Sequence, residues 1–582
     1  TTRVNAYTFV KLPPELNLQK FNNELKAFAK RHIPADDADQ HFFAQPLAEM
    51  HSDARFGNFN NHTFSNDLIN ALALISIFLI SIACANFINL ATAQGSNRSK
   101  EIGIRKVLGS NRYQLAFQFL GETALITFAS VTIALIIAKF VLPFLNNLLE
   151  VRIELNFVTN HYLAFFLALL SLFITLLAGL YPAIILSGFN PLHALQSKLN
   201  SKISGGINLR KALVILQFGI AQILIIVVLV VVSQMDYIKN FPLGFNSASI
   251  INVPTPADST GVSRIAYLRN RLLQNPGIEK VSFSFSAPVS DYGWSSEFRF
   301  NHATKETDFS ANLKWADVDY FKTYGLHFIA GRSFYPSDTV REFVINQTLL
   351  HKLGIPNPQD AIGKQINFWD GAKVGNVVGV IKDFNANSLR VPMTPMILST
   401  WKDMYRMSNI KIKPGMEKAT IGFIENLWEK TYPGNIFQYQ FLDKTIANNY
   451  KQENQIAALY KIFAAIAIFI SCLGLYGLIS FMAFQRTKEV GIRKVLGASV
   501  SNIIYLFSKE FTILLVIGYL IAVPSALYFT HQWLNNFAYK ISLGAGIFFV
   551  AIIFSFFVVW ITIGYRAIKA AIANPVDSLR SE

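Results

Sequence analysis

The sequence predicts an α-helical polytopic membrane protein with seven spans in this chain and α+β domains on the outer side of the membrane. Three observations carry that fold class. Of 582 residues, 52% are hydrophobic and 15% charged, whereas an ordinary soluble domain carries about 25% charged residues. Seven internal stretches are nearly free of charge and meet the roughly 20 apolar residues needed to cross a hydrocarbon core of about 30 Å. The lysines and arginines behind the formal net charge of +16 gather in short segments beside those stretches. That placement marks membrane topology and speaks against a nucleic-acid surface. The two cysteines, Cys84 and Cys472, lie within apolar stretches, which supports neither a disulfide framework nor a cysteine zinc site.

The spans follow in chain order. The first runs from Leu68 to Asn97. The second, about Leu115 to Phe144, is interrupted only by Glu122 and Lys139 toward its ends, and the third runs from about Tyr162 to Leu186. Then come Ala212–Met235, Ile462–Gln485, Phe511–Tyr539 and Ile541–Tyr565. Basic residues follow the first span (Arg98, Lys100, Arg105, Lys106, Arg112), the third (Lys198, Lys202, Arg210, Lys211), the fifth (Arg486, Lys488, Arg493, Lys494) and the last (Arg566, Lys569, Arg580). The positive-inside rule makes all four segments cytoplasmic. Alternation then places 1–66 and 238–456 together outside. An outer-facing segment opening at Thr1 predicts an eighth span and the front of an outer domain ahead of residue 1.

An internal repeat organises the chain. Arg98-Ser-Lys-Glu-Ile-Gly-Ile-Arg-Lys-Val-Leu-Gly109 returns as Arg486-Thr-Lys-Glu-Val-Gly-Ile-Arg-Lys-Val-Leu-Gly497, a shift of 388 (486 − 98). The same shift carries Cys84 to Cys472 and Glu122 to Glu510. With small slips, Leu145-Asn-Asn147 matches Leu534-Asn-Asn536, and Asn190-Pro191 matches Asn574-Pro575, each suited to starting a short helix. The expected division is therefore 1–66, the tail of a first outer domain; 67–200, a first three-span unit; 201–237, a connecting loop and the fourth span; 238–456, a second outer domain; and 457–582, a second three-span unit.

In the second outer domain, β-branched and apolar runs at 249–253, 280–286, 341–345, 374–381 and 396–399 predict strands, and apolar spacing predicts helices over 263–274 (Ile265, Leu268, Leu272) and 419–429 (Ile421, Ile424, Leu427). The tail repeats a strand–helix order, with an extended run over 6–12 and a helix near 18–31, as at 408–413 and 416–430. In each basic motif Glu precedes Arg by four (Glu101 and Arg105, Glu489 and Arg493), the order that favours an intrahelical pair. Ile104, Val107 and Leu108 share one face, and Gly109 suits a helix end. A lipid anchor needs basic amphipathicity alone and does not demand Gly103, Gly491 and a nearly verbatim order in both copies. That reading favours two equivalent cytoplasmic docking elements. Glu122 and Glu510, near the starts of two spans, are candidate transmission residues. No catalytic residue, metal site or directly bound cofactor is assigned.

The two Lys-Glu-(Ile/Val)-Gly-Ile-Arg-Lys-Val-Leu-Gly motifs, each just after a span, resemble those of the FtsX-like permease family of ABC transporters. Segments 321–331, 341–346 and 377–384 are similar to the MacB-type periplasmic core domain. The resemblance implies a fused two-repeat permease of the mechanotransmission type in the bacterial inner membrane. It implies a separate cytoplasmic ABC ATPase dimer, since no Gly-x-x-x-x-Gly-Lys-Ser/Thr loop occurs in the sequence, with ATP and Mg bound on that partner. It also implies ATPase coupling through Lys100, Glu101, Gly103, Arg105, Lys106, Leu108 and Gly109, and through Lys488, Glu489, Gly491, Arg493, Lys494, Leu496 and Gly497. The expected function is export or efflux of an antimicrobial, peptide or lipid-like substrate, with a periplasmic adaptor and an outer-membrane channel as possible partners. The alternative is a transmembrane regulator of a periplasmic enzyme such as a cell-wall hydrolase, or of a sensor.

Overall fold

A computed structural model describes residues 8–14, 16–32, 42–50, 66–157, 160–188, 204–290, 293–386, 388–485, 492–493 and 496–572. Two compact units, 1–83 and 84–582, divide the chain. In the first, α1 (Leu18–His32) forms where apolar spacing predicts it, and the Asn22 side chain accepts the Ala44 N–H at 2.8 Å. Residues 8–12 carry no strand. The extended run expected over 6–12 is not realised in that part, because no strand among the described residues pairs with it and Phe9 and Val10 stay exposed; residues 6–7 lie outside the described residues.

Seven helices among the described residues are long and apolar enough to cross a membrane. They belong to α2 (Asn66–Val107), α3 (Arg112–Leu149), α4 (His161–Ser187), α5 (Ser204–Asn240), α9 (Lys451–Gln485), α10 (Val500–Leu534) and α11 (Ala545–Ile572). Within 84–582, α5 packs on α9, α10 and α11, while α3 packs on α4. Small residues allow these contacts. A Cβ on Gly518 of α10 would stand 3.1 Å from the Ile215 carbonyl and 3.2 Å from the Gly219 nitrogen of α5, so the two backbones cross almost in contact. On the other pair, Gly179 of α4 receives the side chain of buried Thr123 from α3.

Between α5 and α9 lies the α+β domain. Strands β1 (Ile250–Pro254), β2 (Ile278–Ser284), β11 (Met407–Ile412) and β12 (Gln440–Phe441) form one sheet in the order β12-β1-β11-β2, antiparallel throughout. Helices α6 (Ile265–Leu272) and α7 (Glu417–Thr431) pack together, burying Ile265, Leu268 and Leu272 with Ile424, Leu427 and Trp428. A third helix, α8 (Leu442–Asn448), leads into α9. The larger sheet contains β3 (Trp294–Ser296), β4 (Arg299–Phe300), β5 (Ala311–Trp315), β6 (Phe328–Gly331), β7 (Glu342–Asn346), β8 (Gln365–Phe368), β9 (Lys373–Ile381) and β10 (Met396–Ser399). Its path is β3-β5-β10-β7-β9-β8-β4, with β6 on β9. Because β3 and β4 are two halves of one segment, with Phe298 fully buried between them, that segment closes the sheet between β5 and β8.

The strands legible in the sequence are the apolar ones. β3, β4 and β12 are too short to show a period, and β5 is masked by Lys314, the fourth of its five residues, which is buried. The Lys314 Nζ donates to the Ala287 carbonyl at 3.1 Å, and burial pushes its amine down to about 8.

Candidate functional site

At the inner end of the first copy, α2 runs on past its span to Val107, so the first basic motif is helical and follows directly on the span. Gly109, at φ +101, ends it. The Ser110 N–H returns to the Arg105 carbonyl at 3.0 Å and the Gly109 N–H to Lys106 at 3.1 Å, the paired bonds of a Schellman cap. The second copy ends the same way: Gly497 has φ +89, and the Ala498 N–H meets the Arg493 carbonyl at 2.9 Å. Ile102 is buried against Leu115 and Leu186. Ile104 and Leu108 are left 51% and 80% exposed, and their equivalents Ile492 and Leu496 are 52% and 80% exposed. The same two apolar positions are thus exposed to the same degree in both copies.

Charges stiffen these ends. Arg105 pairs with Glu101 at 2.7 Å, as the four-residue spacing predicts, and donates to Gln118 of α3 at 2.8 Å. Arg98 pairs with Glu122 at 2.8 Å, tying α2 to α3. Glu510 holds Lys211 of α5 at 3.2 Å. Repeat-equivalent carboxylates thus each close an ion pair between neighbouring helices. These groups are partly exposed, so each pair contributes at most about 1 kcal/mol, and its effect is on geometry more than stability. Partial burial, and then the Arg112 charge, hold the Lys106 amine below its ordinary value.

Midway along, the copies touch. The Asn86 Nδ2 of α2 donates to the Ile470 carbonyl of α9 at 2.7 Å, and the carboxamide lies on Gly474 so closely that a Cβ there would fall 1.9 Å from its Oδ1. Asn86 and Gly474 are 388 residues apart, the shift of the repeat. Repeat-equivalent positions of the two copies therefore meet at the α2–α9 contact.

At the outer end, a loop of the α+β domain is seated among the helices. Leu389 is fully buried with Val231, Met235, Tyr450 and Phe537. Its N–H donates to the Tyr450 hydroxyl at 2.8 Å, and the Ala538 N–H donates to the Arg390 carbonyl at 3.1 Å. Arg390 pairs with Glu453, a buried carboxylate in the first turn of α9. Nearby, the Gln234 amide of α5 bridges the Tyr539 carbonyl and the Ile541 N–H, each at 2.9 Å. Residue 389 therefore bears on α5, α9 and the end of α10 together. On the first-copy side, Gln455 of α9 donates to the Leu148 carbonyl at 2.8 Å and Lys451 pairs with Glu150 at 2.5 Å.

Comparison with known proteins matches residues 73–191 and 461–575 to the FtsX-like permease C-terminal family, one match on each copy of the repeat. Each copy of the repeat is thus similar to the FtsX-like permease C-terminal family. Residues 212–421 match the MacB-like periplasmic core domain. The permease is 28% identical over 388 residues to the macrolide export ATP-binding/permease protein MacB of Neisseria gonorrhoeae, covering 62% of this chain and 57% of that one. To the protein of the same name from Escherichia coli it is 25% identical over 290 residues, covering 47% and 44%. The chain thus spans about half the length of the curated relatives it matches. The periplasmic region of MacB from Actinobacillus actinomycetemcomitans aligns with 36% of this chain and 96% of its own at 16% identity, with a TM-score of 0.26. The permease is a multi-pass protein of the bacterial inner membrane with large periplasmic domains.

Of the residues singled out in the motifs, Glu101, Gly103, Arg105, Lys106, Leu108 and Gly109 share the inner end of α2, and Arg493, Leu496 and Gly497 occupy the corresponding place. Lys488, Glu489, Gly491 and Lys494 lie outside the described residues, as do Asn190-Pro191, Asn574-Pro575 and the side chain of Lys100. Asn86, Gly474, Leu389, Arg390 and Glu453 were not visible to motif reading. The repeat shift alone pairs Asn86 with Gly474, but nothing in the sequence says that the pair touches.

Proposed function

We propose that this permease couples ATP hydrolysis on a separate cytoplasmic ABC ATPase dimer to movement of its periplasmic domains, for export of an antimicrobial, peptide or lipid-like substrate. The observation that supports the reading is the duplicate exposed apolar side chain, Leu108 and Leu496, at two glycine-capped ends, the first of which continues from its span. An ATPase dimer presents two equivalent faces, and a chain with two equivalent levers serves both. Pressing on α2 loads the α2–α9 contact at Asn86, and α9 carries Glu453 against the periplasmic loop at Arg390. The spans need no cargo path in this scheme; they act as rods between the engine and the periplasmic domains. The export class is taken from the MacB relatives, whose name joins ATP-binding and permease functions.

The test is purification of the chain from its native membrane with its companions, followed by mass spectrometry. Two ATP-binding subunits per permease are expected, with no ATP hydrolysis by the permease alone. The pair Leu108→Asp and Leu496→Asp should lose those subunits while the permease itself melts unchanged. Retention of the ATPase by a doubly substituted chain sinks the proposal.

A further inference from the structure

A cleft of about 600 Å³ opens in the periplasmic domain along β1, β12 and α8, within the size range of small-molecule sites. Among the described residues that line it, none carries a formal charge, although the chain as a whole is strongly basic. Its polar side chains are amides and hydroxyls, including Asn252, Gln440, Thr445 and Asn449. Such groups donate and accept hydrogen bonds without fixing a sign of charge. Phe437 and Tyr439 stack at 5.6 Å with their planes 28° apart, and Tyr439 is 39% exposed. Pro254, Val289 and Met407 supply apolar surface.

We infer that this cleft binds an uncharged saccharide. A sugar ring offers hydroxyls that both donate and accept, matching amides, and a C–H face that matches an aromatic ring. An anionic ligand finds no cation in the lining, and a purely apolar one leaves the amides without partners. The Gln440 Oε1 accepts from the Thr445 hydroxyl at 3.4 Å and the Asn252 Oδ1 from the buried Tyr324 hydroxyl at 3.2 Å, which orients two of the amides. Asn449 lies two residues before the start of α9, whose first residue, Lys451, opens a membrane span. The cleft is therefore close along the chain to the outer membrane surface, and the saccharide is either the headgroup of a membrane amphiphile or a free periplasmic glycan. Binding here goes beyond the ATP-driven reading and stands or falls without the ATPase.

The test uses the full chain in phospholipid nanodiscs without nucleotide, and saturation-transfer NMR with millimolar N,N′-diacetylchitobiose. Transfer to the ring C–H protons is expected. Tyr439→Ala should weaken binding about tenfold, as loss of one aromatic contact does, and Gln440→Leu should weaken it as well; both side chains are exposed, so the melting temperature should not move. Glucose 6-phosphate should not displace the disaccharide. If glucosyl diacylglycerol added to the nanodisc competes, the ligand is a lipid headgroup; if only soluble glycans compete, it is a free one, and either result supports the site. No transfer, equal binding by Tyr439→Ala, or equal binding of the phosphorylated sugar overturns it.

Discussion

Replacing Gly474 by alanine should weaken the contact between the two copies by about 1–2 kcal/mol. A Cβ at that position stands 1.9 Å from the Asn86 Oδ1 and 2.3 Å from its Cγ, so the carboxamide has to swing away. It then loses its 2.7 Å bond to the Ile470 carbonyl. Interhelical hydrogen bonds in membranes contribute about 0.6–1.7 kcal/mol, and an amide left without a partner adds a penalty of about 1 kcal/mol. Alanine's better helix propensity returns up to about 1 kcal/mol. In an Asn86→Ala background the obstacle is gone and only the propensity gain remains, so the same substitution should become neutral or stabilising by up to about 1 kcal/mol. A double-mutant cycle on the full chain in lipid, read by unfolding midpoints, measures this change of sign. Equal effects of Gly474→Ala in both backgrounds would refute the contact between the two copies.

Three further outcomes are expected. Arg390→Ala should destabilise by about 1–3 kcal/mol, because it leaves the buried Glu453 carboxylate unpaired, and should cost less in a Glu453→Gln background; equal costs in both would remove the pair from the periplasmic joint. Lys314 has its folded-state amine pushed down to about 8 from an ordinary 10.5, so its contribution is present above the unfolded value and is lost as the pH falls through about 8. The periplasmic domain should therefore gain about 1.5 kcal/mol between pH 8 and roughly 9.5, before the buried tyrosines Tyr320 and Tyr324, whose hydroxyls burial raises well above 10, begin to oppose it. Burial also pushes Asp317 up to about 7 against the pull of Arg269, which acts in the opposite sense and is complete before that window; circular dichroism melts of the chain and of Lys314→Met, which should lose the slope, measure the difference. The single change Leu108→Asp should leave the unfolding midpoint within about 0.5 kcal/mol of the parent, as exposed positions do; a larger loss would mean that Leu108 packs within the chain and is no docking surface.

The spans, their orientation, the repeat and the basic motifs were all decided by the sequence alone. Each rests on a local property: apolar length against bilayer thickness, the side on which lysine and arginine collect, or identity of order between two segments. The four-residue pairing of Glu101 with Arg105 and the helix stop at Gly109 are local in the same sense, since one turn of helix or one left-handed residue settles them. The tertiary structure alone decided what lies between distant segments. It set Asn86 on Gly474, drove Leu389 between α5 and α9, buried Lys314 in a strand that its charge disguises, closed the larger sheet through the residues flanking Phe298, and gathered amides from three elements into one cleft. None of these leaves a periodic trace, because a contact across hundreds of residues depends on where rigid helices and strands are held in space and not on the order of their neighbours along the chain.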